Sequence, residues 1–227
     1  MLTNDDLTAI LLTLKLATIT TIILLIICIP LATWLTFTKS KFKLIAVSLA
    51  TLPLVLPPSV IGFYLLVLFN PHGFIGSLMN NGGIGTLPFT FRGLVVASVI
   101  YSLPFVLQPI YNAFQALGSH TFEVAATLRA NKYVTFFHLF IPQAKISILS
   151  GAVLGFAHTM GEFGVVLMIG GNIPGKTQVA SLQIYNHVEA FEYHQANMLS
   201  LILLGSSFVI LLLISQIQHK ANYLNKI

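Results

Sequence analysis

EVAATLRANKYVTFFHLFIP, residues 123–142, is the longest polar and basic interruption between the strongly apolar stretches of this chain. It divides a sequence otherwise suited to lipid, in which 56% of residues are hydrophobic and 7% charged, with a mean hydropathy of +0.89. A soluble globular domain carries about 25% charged residues, so this composition excludes that class and points to an integral membrane protein. Apolar runs at residues 8–37, 44–69, 93–117, 146–170 and 198–219 are each long enough to cross a hydrocarbon core of ~30 Å as a helix. The expected fold is an all-α integral membrane protein of five or six transmembrane helices, forming one domain over residues 1–227. No internal repeat, low-complexity tract or linker marks a second unit.

The joints between runs alternate in charge. Lys39, Lys41 and Lys43, then Arg129, Lys132 and Lys145, then Lys220 and Lys226 put eight basic residues on one side, against Arg92 and Lys176, two, on the other. The positive-inside rule then sets segment 123–142 and the C-terminus in the cytoplasm and the N-terminus, with Asp5 and Asp6, outside. Acidic leading residues and a long first run argue for a permanent span rather than a cleaved signal peptide. The net charge of +5 is dispersed rather than gathered into a stripe, which argues against nucleic acid as a partner. Joints 72–92 and 171–197 each have room for a short re-entrant or interfacial helix, so the count stays at five or six. Cys28 has no partner for a disulfide and reads as core filler; Lys15 reads as a side chain snorkelling to the outer surface.

Inside the runs the punctuation is unusual. Pro53, Pro57 and Pro58 fall in the second, Pro104 and Pro109 in the third, and each removes a donor and presses on the carbonyl four residues back. Such helices must kink or unwind, with freed carbonyls met by other helices, by a cavity or by the hydroxyls of Thr51, Ser59, Ser98 and Ser102. The pattern suggests a gate or pathway lining, with Pro57, Pro58 and Ser59 as candidates. Gly151 and Gly155 have the spacing that lets two helices approach closely, within the subunit or across a dimer. Glu162 is the one carboxylate within a run, and burying it costs several kcal/mol unless it is paired. His158 lies one turn earlier on the same face. The pair reads as a polar gate or a clamp between helices; the alternative is that Glu162, roughly 17 residues into its run, reaches the outer interface.

Two strings imitate other chemistry. Residues 170–177, GGNIPGKT, satisfy the P-loop pattern, but a membrane run precedes them, Pro174 removes a donor, and the only aspartates are Asp5 and Asp6, leaving none on a strand to hold magnesium. They read as a turn. His187, Glu189, Glu192 and His194 are metal-compatible residue types without a ligand spacing, so no metal is assigned. No nucleophile has a recognisable base and orienter, so neither an enzyme nor a cofactor is expected.

In 123–142, Ala125, Ala126 and Ala130 would let another protein's surface come close, while Glu123, Arg129 and Lys132 fix its register. This segment resembles the EAA loop of ABC-importer permeases, which docks onto a cytoplasmic ATPase. LPLVLPPSVIGFYLL (52–66), GEFGVVLMIGGNIPGKT (161–177) and IYNHVEAFEY (184–193) are similar to the corresponding stretches of molybdate-transport permeases. The resemblance implies a type I importer permease in a bacterial plasma membrane, with a coupling loop at 118–145 in which Glu123, Val124, Ala125, Leu128, Arg129 and Ala130 meet the ATPase. It also implies a homodimer, a cytoplasmic ABC ATPase dimer and a periplasmic or extracellular oxyanion-binding protein as partners. Sulfate and tungstate are alternative cargoes. A secondary transporter, the rival class, would show pseudo-repeats and more intramembrane ionisable groups. One departure stands out: Arg129 occupies the place where the family's loop has glycine, so the bend there should change or gain a charged contact.

Overall fold

The structure, a computed structural model, describes residues 2–83, 85–127 and 129–224. Leu128 and Lys226, singled out above, lie outside the described residues, as do the side chains of Ala126, Lys132 and Lys220. The described chain is helical: α1 (Asn4–Phe37), α2 (Lys43–Thr51), α3 (Pro58–Leu68), α4 (Phe74–Asn81), α5 (Phe91–Leu117), α6 (His120–Thr127), α7 (Lys132–Thr135), α8 (Ile141–Met160), α9 (Gly164–Gly170), α10 (Ala180–Glu189) and α11 (Tyr193–Leu224). A π-helical stretch, Phe136–Phe140, joins α7 to α8.

Helix α1 starts with a capping box. The Thr3 hydroxyl accepts the Asp6 N–H at 3.2 Å and the Asp6 carboxylate accepts the Thr3 N–H at 2.8 Å, satisfying two orphan amides at once. The inward face of α1 carries Ala9, Thr13, Ala17, Thr20, Leu24, Cys28, Ala32 and Leu35, at steps of three or four. Small residues dominate this face, so α1, α5 and α8 can pack closely on one another. Its other faces expose large apolar side chains such as Leu11, Ile22 and Ile26, as a lipid-facing helix should.

Four helical stretches are long and apolar enough to cross a membrane: Asn4–Phe37, Phe91–Leu117, Tyr133–Met160 and Tyr193–Leu212. A fifth is broken, its halves Lys43–Leu54 and Pro58–Leu68 bent by 113°. The break falls at the tandem prolines: Pro57, itself followed by a proline, is forced out of the helical region to φ −56°, ψ 138°. Pro104 and Pro109, by contrast, sit inside an unbroken α5. Each is isolated and costs one hydrogen bond, and packing against α1 and α8 holds the helix through the gap. The fourth apolar run is corrected in register: its helix begins earlier, near Tyr133, and stops at Met160, while residues 164–170 form the separate α9. Both long joints contain a short helix, α4 in one and α10 in the other.

The glycine pair on α8 works within the subunit. A Cβ on Gly151 would lie 2.8 Å from the Val106 carbonyl oxygen, and one on Gly155 2.3 Å from Val106 Cγ2, so α8 rests directly on α5. A second pair seats α9 on α3, where a Cβ on Gly62 would meet Met168 Cβ at 2.6 Å and one on Gly164 would meet Pro58 Cβ at 3.0 Å. Apolar side chains fill two clusters, one around Leu16, Ile61, Leu94, Val165 and Ile169, the other around Leu24, Val106, Ile110, Phe114 and Phe140. Cys28 is buried in the second, and Lys15 lies 4.9 Å from the centre of the Phe91 ring.

The start of α1 is tied to α10. His187 Nε2 is 2.8 Å from Asp6 Oδ1 and its Nδ1 2.7 Å from Glu192 Oε2, while Gln183 Nε2 donates to the same Asp6 oxygen at 3.0 Å. The Thr13 hydroxyl accepts the Ala180 N–H at 2.8 Å. The metal-compatible residues are thus divided: His187 and Glu192 serve the clamp, and Tyr185 donates to Glu189. Among the described residues no cluster is arranged to hold a metal ion.

Two predictions follow from this packing. Gly151→Ala and Gly155→Ala should each lower thermal stability in detergent, by about 1–3 kcal/mol, through overpacking. Adding Val106→Ala should restore much of the Gly155→Ala loss but little of the Gly151→Ala loss, because only the first obstacle is a side chain. The second concerns pH. Burial opposes charge on His187, yet its hydrogen bonds to Asp6 and Glu192 prevail and raise its pKa above the ordinary 6.5. A raised folded pKa stabilises fully below the unfolded value and loses that contribution as pH rises through the folded one. The melting-temperature advantage of wild type over His187→Gln should therefore be full below the ordinary 6.5 and shrink as pH rises through the raised folded value; a constant difference would refute the charged clamp.

Candidate functional site

Between the two apolar clusters, α5 carries a polar rung. Ser98 and Ser102, one turn apart and both fully buried, follow Leu94 and Ala97 of one cluster and precede Val106 and Leu107 of the other. Their hydroxyls point at Glu162, which is 3% exposed. Ser98 Oγ donates to Glu162 Oε2, and Ser102 Oγ donates to Oε1 at 2.7 Å. These serines were expected to relieve carbonyls freed by the prolines; they serve the carboxylate instead. Ser102 Oγ also lies 2.9 Å from both His158 Nδ1 and Thr159 Oγ1.

The chain supplies this site by stopping a helix. α8 ends at Met160, Gly161 closes its last turn onto the His158 and Thr159 carbonyls, and α9 starts again at Gly164. Glu162 lies in that break. Its backbone carbonyl accepts the Ser181 hydroxyl of α10, so one residue bridges α5, the α8–α9 break and α10. Burial without donors would cost several kcal/mol; the hydroxyls offset that cost. Glu162 is enclosed by protein and lies just past the end of the Tyr133–Met160 span.

His158 Nδ1 is 3.7 Å from Glu162 Oε1, and its ring stacks on Phe105 at 3.8 Å between centroids and leans on Tyr101 at 4.8 Å. An open cavity of ≈ 630 Å³ is bordered by Pro58, Ser59, Tyr101, His158, Glu162 and Gly164. Four of the sequence-derived candidates, Pro58, Ser59, His158 and Glu162, therefore meet at one cavity. Pro57 sits just outside it as the residue that turns the chain into α3. In the first turn of α3, Pro58 has no N–H and the Val60 and Ile61 N–H groups donate to the Pro57 carbonyl, so the Ser59 N–H and hydroxyl are the donors this turn can offer the cavity. In the sequence Ser98 and Ser102 stand out only by their proximity to prolines; nothing local marks them as partners of a residue about sixty positions on.

The segment 118–145 is a separate feature. Ser119 caps α6, its carbonyl accepting the Phe122 and Glu123 N–H groups at 2.9 Å and its hydroxyl donating to the Glu123 carboxylate. Glu123, Val124, Arg129 and Ala130 are exposed, whereas Ala125 is 2% exposed and faces the chain's own interior, not a partner. The Ala130 N–H donates to the Ala125 carbonyl at 3.0 Å, and Arg129 has φ +56°. That is a Schellman closure with the left-handed position two residues past the helix end, where glycine is the residue of least strain. Arg129 takes up that left-handed position and makes no ion pair with a described residue. Leu128, expected beside it, lies outside the described residues.

The P-loop-like string folds as a self-satisfied turn. Thr177 Oγ1 donates to the Gly170 carbonyl at 2.7 Å and accepts the Ile173 N–H at 2.9 Å, while the Ile173 carbonyl takes the N–H groups of Lys176, Thr177 and Gln178. The hydroxyl and amides that would cradle phosphate are spent internally.

Residues 26–222 match the family described as binding-protein-dependent transport system inner membrane component. The chain is 56% identical over 210 residues to the molybdenum transport system permease protein ModB of Azotobacter vinelandii, covering 92% of this chain and 93% of that protein. It is 33% identical over 173 residues to the sulfate transport system permease protein CysT of Escherichia coli (strain K12), covering 76% of this chain and 62% of that one. A bacterial ABC transporter that imports the acidic polysaccharide alginate superposes with a TM-score of 0.78 at 16% identity, over 96% of this chain and 80% of that chain. The MetNI methionine ABC transporter in an inward-facing conformation gives 0.70 at 14% identity, over 92% of each. At such identities the two structures speak for the fold alone. Family, relatives and fold agree: the chain belongs to the binding-protein-dependent transport system inner membrane components, as a multi-pass permease.

Proposed function

We propose that this chain is the permease subunit of a molybdate importer, carrying the oxyanion across the membrane as a homodimer driven by a separate ATPase dimer. The observation that carries the reading is the high identity, over nearly the whole chain, to a molybdenum permease. The lower identity and shorter reach of the sulfate permeases make sulfate the second reading. By the charge asymmetry of the joints, segment 118–145 faces the cytoplasm and the His187 clamp faces outward, where a binding protein delivers the anion.

The cavity beside Glu162 is the proposed gate. A tetrahedral dianion is repelled by an ionised carboxylate, so it passes along the Ser59 and Tyr101 hydroxyls and the Ser59 N–H. Selectivity then resides in the binding protein. Glu162 and its hydroxyl partners hold α5 against the α8–α9 break in one conformation and release it in the other. ATP binding favours the conformation in which the ATPases close, and the coupling segments transmit this preference as a population shift.

In vesicles holding the full complex, molybdate should accumulate only when ATP is supplied on the ATPase side. Glu162→Ala should lower anion moved per ATP by roughly tenfold, because the buried hydroxyls it strands cost about 1–3 kcal/mol in the clamped state. Proton-driven uptake by this chain alone would sink the assignment; unchanged stoichiometry in Glu162→Ala would sink the gate. For the coupling segment, Arg129→Gly should retain ATPase co-purification and slow hydrogen exchange in α6, since left-handed backbone costs a non-glycine residue about 1 kcal/mol. Arg129→Val should weaken association, and the reverse order would count against the docking bend.

A further inference from the structure

An apolar groove of ≈ 570 Å³ opens beside the coupling segment, walled by Thr33 and Phe37 at the end of α1, Ser119 and Phe122 of the α6 turn, and Tyr133 and Phe137 beyond it. Nothing in the gate or the coupling bend uses it. Two features beside it identify an occupant. The apolar α1 ends at Phe37, and the chain then turns: the Thr38 hydroxyl accepts the Ser40 N–H and the Ser40 hydroxyl accepts the Phe42 N–H, each at 3.2 Å. This turn holds Lys39 and Lys41 two and four residues past Phe37, exposed and without an ion pair to any described residue. Lys43, the third lysine of the joint, is instead drawn over the Tyr111 ring at 5.8 Å. Just beyond, Phe42 and Leu44 are 70% and 77% exposed, so the lipid-facing surface continues past the groove. Apolar groove, span end and two free cations occur together.

We propose that the groove seats an acyl chain of an anionic phospholipid whose phosphate is met by Lys39 and Lys41. The lipid then braces the coupling segment from the side, because Ser119, Phe122, Tyr133 and Phe137 form part of its wall. Hydrocarbon favours the aromatic lining by burial of apolar surface. The anionic headgroup supplies the counter-charge that the two lysines lack among the described residues, and juxtamembrane lysines attract such lipids. The inference concerns the lipid phase only and stands whatever oxyanion is carried.

Trp34, the chain's only tryptophan, is the probe: it neighbours Thr33, precedes Phe37 by one turn and is 45% exposed. The complex with its ATPase is placed in phosphatidylcholine nanodiscs in which part of the lipid is replaced by phosphatidylglycerol or phosphatidylcholine with brominated acyl chains. Bromine quenches tryptophan at hydrocarbon depth, so tryptophans of the ATPase contribute a constant background. Brominated phosphatidylglycerol should quench Trp34 more strongly, with a relative association constant of roughly fivefold per lysine. Lys39→Gln with Lys41→Gln should bring the two lipids level, and Thr33→Phe, which fills the groove, should remove the excess quenching while both lysines remain. Equal quenching in the wild type would overturn the proposal, as would a preference that survives either variant. Excess quenching seen only after the ATPase is stripped off would assign the groove to the ATPase and overturn it too.

Discussion

A carboxylate buried among the helices of a membrane protein constrains everything around it. Among the described residues the basic side chain nearest Glu162 is His158, at 3.7 Å, so its burial depends on closer donors, and two come from one turn of α5. That requirement fixes the register of α5 against the end of α8. The glycines at 151 and 155 let the two helices come close enough to meet it. The break after Met160 follows as well, because the short stretch between two helices lets the carboxylate turn toward α5 while its carbonyl takes the Ser181 hydroxyl. The rung also divides the interior into two apolar clusters that meet across a polar layer.

Lipid solvation explains which parts of the fold were legible in the sequence. The spans could be found because they are apolar throughout, and the tandem prolines marked the break before α3 because the residue before a proline leaves the helical region. Orientation of each helix about its axis was harder. When the outer face meets hydrocarbon, both faces are apolar and hydrophobic periodicity carries little information. Size carries part of it instead: α1 turns all three of its alanines and Cys28 inward and buries none of its isoleucines, although Leu16, Leu24 and Leu35 also face inward. The run 146–170 misled because valine, leucine and isoleucine continue through 165–169 with no sign of the restart at Gly164 except the glycines themselves.

The site divides along the same line. Glu162 and His158 stood out because ionisable groups are rare in such runs, and their i, i+4 spacing is a local property. Ser98 and Ser102 did not, since a serine in a membrane helix carries no label for a partner about sixty residues away. Asp6 was legible only as charge, whereas the fold spends it on His187. Arg129 is the reverse case: the sequence flagged it as a departure, and the backbone shows why glycine suits the position, at φ +56° in a helix-closing turn. Ala125, small because it is packed inward, was mistaken for a contact surface because smallness serves either purpose.

These features bear on how far a movement could travel. The helical stretch Tyr133–Met160 runs without interruption from the coupling segment to the polar rung, and at 1.5 Å per residue a rod of that kind spans roughly 40 Å. A packed helix moves as a body, so a displacement at Tyr133 arrives at Met160 nearly undiminished. Beyond Met160 the rod ends, and the residues that follow answer to α3, through the contacts of Gly62 and Gly164, as well as to α8. On the proposed mechanism, the hydroxyl bonds to Glu162 lie where one rigid unit hands over to another. Their loss or recovery is then a discrete event, because a buried carboxylate has few arrangements that satisfy it and intermediate positions leave it unpaired. The polar rung would thereby convert a continuous push into a choice between two states.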